Sequence, residues 1–437
     1  MKNITKILFL LAVVFVLGMG CKSKPSTITE AETDGGGIRD IFAGAANVFI
    51  LMEDNTLWGA GYNQADQFGS GVNTQGMSGQ VESSDGKTFR VTQIKDDTGA
   101  PFSDVKTVAA GENHTVILKK DGTLWGAGNS SNGELGQTGE NYILFTGLKA
   151  GGVLLSGIKE ATAGNNSTFF IDGNGSLWAS GYNYYGELGL GNRDAQSSFS
   201  TVGSAGQNIK AIAAGIRHSV ILKDSGSILV TGYNYNGQLG LGNKEDKESF
   251  TEVRDAGSDI TAVAAGNYHT VILKSDGTVW TTGSNYWGQL GFADNSDRQK
   301  FTRVNDEKGS PLSGVTEIAA RGDITVLLKS DGSILLAGNY VAPQGGNEPD
   351  YNAIVDDNGQ GSYGVLLDDA KSSFVQLVPE QASVKFGEVK KIVLGYNSIY
   401  VITSDGRLWA AGSNRYGQLN LDPETGTSSE LKLIEFN

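Results

Sequence analysis

The chain has 437 residues, of which 62 are glycine and only 7 proline. Glycine is thus about twice its usual share of roughly 7%, while the scarcity of proline excludes a collagen-like or proline-rich disordered chain. Forty-eight acidic against 34 basic side chains give a formal net charge of −14, which excludes nucleic acid as a natural partner because affinity there depends on cations that neutralise phosphates.

In chain order, the first segment reads as an export signal. Lys2 and Lys6 precede an apolar run from Ile7 to Leu17, and Gly18, Met19 and Gly20 lead to Cys21, the single cysteine. Such a run is too short to cross a bilayer as a helix. The arrangement resembles the lipobox of bacterial lipoproteins, with Gly18 where that family usually has leucine. The resemblance implies a signal peptide over 1–20, lipidation of Cys21, a flexible tether over 21–37 and a place in the bacterial cell envelope, facing the periplasm or the exterior. Membrane attachment would run through the acylated Cys21, and more than one acyl chain is needed for a firm anchor. With one cysteine, no intramolecular disulfide can form.

From residue 38 onward the chain repeats itself. A-A-G-x-x-H-T/S-V-I-L stands as AAGENHTVIL, AAGIRHSVIL and AAGNYHTVIL, with weaker copies around Gly44, Gly164, Arg321 and Gly395. The column Gly44, Gly111, Gly164, Gly215, Gly266, Arg321, Gly395 advances by roughly fifty residues, more at its first and last steps. Within a unit, IKAIAAG, HSVILKDSG, SILVTG and FTEV are short runs rich in β-formers and bounded by Gly, Asp or Asn. No stretch offers a useful amphipathic helix. Asp-Gly in KKDGTLW, KSDGTVW, KSDGSIL and TSDGRLW predicts a type I′ hairpin turn. Four antiparallel strands in each of seven units predict an all-β, seven-bladed β-propeller over 38–437, with repeats near 38–103, 104–155, 156–207, 208–258, 259–313, 314–386 and 387–437. The first unit opens on an inner-type strand and the last ends on an outer-type one, so the ring could close between whole blades.

The alternation of A-A-G-x-x-H-T, D-G-x-L-W-x-x-G and G-x-N-x-x-G-Q-L-G resembles the regulator of chromosome condensation repeat family. The resemblance covers nearly all of the chain after residue 38. It implies that the G-x-N loop and the A-G-x-x-H turn lie on one face of the disc.

Several motifs that invite a chemical reading have plainer ones. His114, His218 and His269 share one repeat column, whose other members are Asn47, Ser167, Ile324 and Ser398; this is a structural turn column rather than a metal site, which needs histidines converging from different blades. Trp58, Trp125, Trp178, Trp280 and Trp409 alternate with Leu229 and Leu335, as packing positions do. The glycine-rich loops lack the following helix of a phosphate cradle. No nucleophile with an evident base stands out, and no cofactor or metal is expected. The insertion 341–372 is acidic, but Asp356, Asp357 and Asn358 match no standard calcium loop.

The loops themselves read YNQAD, NSSNG, YNYYG, YNYNG, SNYWG and SNRYG, starting at residues 62, 129, 182, 233, 284 and 413. Asparagine at the second place suits a side chain that closes a turn on its own backbone, and glycine at the fifth is a backbone requirement. The third and fourth places accept Gln64 and Ala65, Ser131 and Asn132, Tyr184 and Tyr185, Tyr235 and Asn236, Tyr286 and Trp287, or Arg415 and Tyr416. Such tolerance predicts exposed tips at both places. Tyr184, Tyr185, Tyr235, Tyr286, Trp287 and Tyr416, joined by Arg217 and Tyr268 from the turns, form the candidate partner-binding set, since Tyr, Trp and Arg dominate binding hot spots.

These readings converge on an exported, lipid-anchored, monomeric and non-catalytic platform that binds an unknown protein through one propeller face. The rival is an enzyme or lectin-like module acting on cell-wall or surface glycans. Nucleotide exchange on a small GTPase, the activity of the family's founding nuclear member, is disfavoured by the export signal.

Overall fold

The computed structural model describes residues 37–70, 92–139, 142–306, 308–338, 374–377, 388–414, 419 and 427–434. Cys21, the tether up to residue 36, Tyr416 and the acidic insertion 341–372 lie outside the described residues. Seven four-stranded antiparallel sheets follow one another within residues 38–93, 105–147, 160–201, 209–252, 260–303, 315–377 and 389–434, each with its strands in sequence order from inside to outside. These are the seven blades of a β-propeller. Each blade is built from one continuous stretch of chain, so the ring closes between whole blades. At that seam Tyr396 N–H donates to the Ala45 carbonyl at 2.9 Å, and the Lys391 ammonium pairs with Asp40 at 2.6 Å while lying 4.7 Å from the Phe42 ring.

The second strand of each blade is buried on both faces, because neighbouring blades cover it from either side. In the strand His218–Lys223, Ile221 packs with Phe169 and Phe250 toward blade three, whereas Val220 and Leu222 pack with Ile260 and Ile272 toward blade five. Alternation of side chains at period two therefore gives a run that is apolar throughout. Burying each such side chain stabilises by about 1.5–3 kcal/mol, and the same pattern recurs around the ring.

The Asp-Gly hairpins differ from the predicted type I′ turn. Lys119 N–H donates to the Thr123 carbonyl and Gly122 N–H to the Lys119 carbonyl, which defines a three-residue loop. Only glycine has positive φ, +82° at Gly122, +76° at Gly277 and +83° at Gly332. The aspartate instead accepts the N–H two residues on, as Asp121 does from Thr123 at 2.9 Å. This is the three-residue hairpin with a glycine bulge, which uses the same dipeptide for a different reason.

The A-G-x-x-H motif is the joint between blades. His114 Nε2 lies 3.1 Å from Thr168 Oγ1, His218 Nε2 3.0 Å from Thr270 Oγ1 and His269 Nε2 2.9 Å from Thr325 Oγ1, each threonine belonging to the next blade. The Thr270 and Thr325 hydroxyls donate to the carbonyls of Gln238 and Gln289. Those oxygens can then only accept from the imidazole, which places a proton on Nε2 of His218 and His269. Burial holds the rings neutral, pushing His114 and His218 down to about 4 and His269 to about 3. The histidines are thus structural, as their shared column suggests.

Glycine precedes them because the imidazole folds back over it. A Cβ at Gly215 would sit 2.3 Å from the Gly266 carbonyl oxygen and 2.6 Å from His218 Cε1. Gly215→Ala is expected to cost about 1–3 kcal/mol as an overpacked site. Gly203→Ala, where an added Cβ meets nothing within 4 Å, should be neutral or slightly stabilising; equal thermal unfolding midpoints for the two variants would contradict this account of the joint.

Candidate functional site

Turn and loop meet through the backbone. Tyr182 N–H donates to the Asn166 carbonyl at 2.9 Å, Tyr233 to Arg217 at 2.8 Å and Ser284 to Tyr268 at 2.8 Å. The first residue of each G-x-N loop is therefore bonded to the residue before the histidine column, and both segments occupy one face. The loop asparagine closes its own loop: Asn183 Oδ1 accepts from Leu188 N–H at 2.9 Å while its amide donates to the carbonyls of Asn192 and Asp194. Asn234 and Asn285 accept likewise from Leu239 and Leu290, and in blade two Ser130 takes over the role. Gly186 and Gly237 at the fifth place have φ of +81° and +85°, a conformation glycine reaches without strain.

The third and fourth places of these loops are not alike. Tyr184, Tyr235 and Tyr286, all at the third, are 61%, 64% and 65% exposed. Fourth-place Tyr185, Asn236 and Trp287 are half-buried, and Ala65 is buried. The expectation that both places are free tips therefore fails at the fourth. The reason is a backbone constraint: the fourth residue donates its N–H to the glutamate or glutamine that follows the glycine, as in Tyr185 N to Glu187 Oε2 at 2.8 Å and Trp287 N to Gln289 Oε1 at 2.9 Å. This clamp draws the loop down onto the blade.

The rings are connected. Tyr184 meets Tyr185 edge-on at 5.1 Å, Tyr185 meets Tyr233 at 4.8 Å, and Tyr233 meets Tyr268 at 5.8 Å and Tyr235 at 6.4 Å. The Arg217 guanidinium lies 4.8 Å from the Tyr185 ring and 6.0 Å from Tyr233. Of the sequence-derived set, Tyr184, Tyr185, Arg217, Tyr235 and Tyr268 thus form one cluster, while Tyr286 and Trp287 form an edge-to-face pair at 4.7 Å on blade five.

Sequence reasoning passed over Tyr233, the ring at the cluster's centre, because its first-place position is shared with Tyr62 and Tyr182. Burial pushes the Tyr233 hydroxyl up to about 12, so it stays a neutral donor. It also passed over Glu187, whose signal is GELG where Gln238 and Gln289 stand in the next two blades. Glu187 is buried, its Oε1 has no partner, and desolvation raises its carboxyl to about 7.

A third omission is Arg321, which breaks the glycine column of blade six. Its guanidinium reaches the carbonyls of Ala43 at 3.2 Å and Ala110 at 2.9 Å on blades one and two, and it lies 5.3 Å from the Tyr396 ring. It ties three blades together over a central cavity of ≈ 310 Å³ lined by small inner-strand residues such as Ala163, Ala214, Ala265 and Ala320.

A closed ring of seven whole blades, with its repeat loops gathered on one face, defines a repeat propeller. Two family models described as the Regulator of chromosome condensation (RCC1) repeat match the chain, one at residues 105–134, 209–238, 260–289 and 389–418, the other at 174–222 and 225–273. The chain belongs to this repeat family. It is 30% identical over 203 residues to the ultraviolet-B receptor of Arabidopsis thaliana, covering 44% of each chain. It is 31% identical over 252 residues to the secretion-regulating guanine nucleotide exchange factor of Bos taurus, covering 56% of this chain and 49% of that protein. The chain thus spans less than half the length of these relatives. Among solved structures, Prp20p of Saccharomyces cerevisiae superposes with a TM-score of 0.66 at 18% identity over 87% of this chain and 86% of that one. Human WBSCR16 gives 0.65 at 17% identity over 90% and 94%.

Glu187 provides a test of the clamp. Its folded-state value, about 7, lies above its ordinary 4.5, so the folded state holds the proton longer and stability falls as pH rises from 4.5 to 7. Glu187→Gln, which copies Gln238 and Gln289, should remove that loss: relative to the parent it gains at most ~3 kcal/mol at pH 8 and little at pH 4.5. Denaturant unfolding at both pH values reads the difference, and parallel profiles would refute it.

Proposed function

We propose that the chain is an exported, lipid-anchored, non-catalytic platform that binds a protein partner through the loops of blades three to five. The observation that carries this reading is the row of Tyr184, Tyr235 and Tyr286, exposed at one loop place in three successive blades. The fold does not require them there, since Gln64 and Ser131 fill the same place in blades one and two, also exposed. Tyrosine offers a large amphipathic ring at low cost in side-chain entropy, which is why it recurs in binding surfaces. The rings beneath are fixed by stacking and by the Glu187 and Gln289 clamps, so the surface is ordered before a partner arrives.

Support from relatives is of the same kind. Prp20p was studied for its binding to Gsp1p and histones, and the bovine relative is a nucleotide exchange factor that regulates secretion. The anchor rests on the sequence around Cys21 and would hold the propeller near a membrane with the 21–37 tether as its reach.

A photoreactive phenylalanine analogue at position 235 is expected to cross-link to a protein in intact cells. The same group at position 308, in the connection entering blade six from the opposite strand ends, is expected not to. Tyr184→Ser with Tyr286→Ser should reduce the adduct severalfold without lowering the unfolding temperature, and Cys21→Ser should release the chain from the membrane fraction. Adducts only to glycan, or equal adducts at 235 and 308, would refute the platform.

A further inference from the structure

Arg217 stands out from the other arginines around these loops. Arg193 pairs with Glu248 at 2.9 Å and Asp246 at 3.4 Å, and Arg298 pairs with Asp294 at 2.8 Å. The side chain of Arg217 makes no hydrogen bond and no ion pair among the described residues; its contacts are the faces of Tyr185 and Tyr233. None of the nearby carboxylates closes an ion pair with it among the described residues. Glu187 feels the Arg217 charge, which pulls its carboxyl down against burial, yet accepts from Tyr185 N–H, with Oε2. Asp246 accepts from Asn234 N–H and Asp297 from Asn285 N–H. In a chain with 48 acidic and 34 basic side chains, a half-buried guanidinium whose N–H groups make no hydrogen bond among the described residues is available to an acid from outside.

The repeat does not demand it. The same column holds Ala46, Asn113, Asn166, Tyr268, Asp323 and Asn397 in the other blades, and the column's backbone carbonyl does the structural work of receiving the next loop. Stacking on two rings holds the guanidinium plane in place with its N–H groups unused, so little order is lost when an acceptor arrives. One half-buried ring separates Arg217 from each of two exposed ones: Tyr185 stands between it and Tyr184, and Tyr233 between it and Tyr235.

We propose that Arg217 is the anchor for a carboxylate side chain of the partner protein, an aspartate or glutamate that docks on its guanidinium while flanking apolar residues lie against Tyr184 and Tyr235. Two parallel N–H···O bonds from one guanidinium suit a carboxylate and give it a fixed orientation. This deepens the platform reading and rests on it. The partner is selected by charge as well as by shape, since the chain's net charge of −14 opposes an acid that does not reach a cation such as Arg217.

The test uses the full chain and three immobilised pools of acetylated, amidated hexapeptides of Leu, Pro and Ser that carry one central Glu, Gln or Lys. The Glu pool should retain the chain at least about tenfold better than the Gln or Lys pool, with binding weakened by salt. Arg217→Met, which keeps the stem on the rings, should abolish the preference for Glu over Gln, and Arg217→Lys should restore it in part. Equal retention of the Glu and Gln pools, no retention by any pool, or a preference unchanged in Arg217→Met would overturn the anchor. Competition by polygalacturonate that matches the Glu peptide at equal carboxylate concentration would overturn it too, in favour of a glycan. Position-235 cross-linking that persists in Arg217→Met would leave the platform standing without this anchor, whereas its absence in the parent chain removes both.

Discussion

One contact recurs at three joints, between blades two and three, four and five, and five and six, and organises what lies above it: the imidazole of one blade against the threonine hydroxyl of the next. His218 Nε2, Thr270 Oγ1 and the Gln238 carbonyl form a chain of hydrogen bonds in which the turn of blade four, the second strand of blade five and the loop of blade four are held at once. Because the ring is neutral and fully buried, the contact is insensitive to salt and costs no ion desolvation. A glycine two residues before the turn's end leaves space for the imidazole. The face that carries the loops therefore rests on a fixed base, with turn and loop positioned by the same atoms.

What this base leaves unspecified is small and localised. Asparagine or serine at the second loop place, the Glu or Gln clamp and the positive-φ glycine hold the loop down, and only the third place stays exposed in each of blades one to five. Blades one and two place Gln64 and Ser131 there, and blades three, four and five place tyrosine. The half-buried layer beneath, Tyr185, Tyr233, Tyr268 and Arg217, joins the loops of blades three and four to the turns of blades four and five, so that the exposed rings project from a continuous aromatic bed. On the opposite side of the ring from blade three, Arg321 replaces the repeat glycine and fastens blade six to blades one and two, a closure made without exchanging a strand.

Short β-forming runs, the fifty-residue repeat and the column identities made the seven blades and the structural role of the histidines legible in the sequence, while the shared face of turn and loop followed from the resemblance to the repeat family. The turn type was not, because Asp-Gly serves both a type I′ turn and a three-residue loop with a bulge, and the choice depends on whether Lys119 pairs with Thr123. The fourth loop place was misjudged for a related reason. Its tolerance of Tyr185, Asn236 or Trp287 reflects a constraint on the backbone N–H, to which side-chain identity is indifferent. The contacts of Tyr233 and the unused N–H groups of Arg217 depend on which side chains of blades about fifty residues apart come together, and no local pattern records that. Arg321 was visible as the break in its column, yet only the ring geometry shows that it spans the channel.

The central claim is that the fold does not use the exposed tyrosines and that a partner does. Tyrosine-selective chemical modification, read residue by residue by mass spectrometry, tests this in intact cells and again after purification. Tyr184, Tyr235 and Tyr286 should react freely in the purified chain and be protected severalfold in cells, while Tyr400, buried in blade seven, stays unreactive in both. Equal reactivity of the three tyrosines in cells and in isolation would contradict the account.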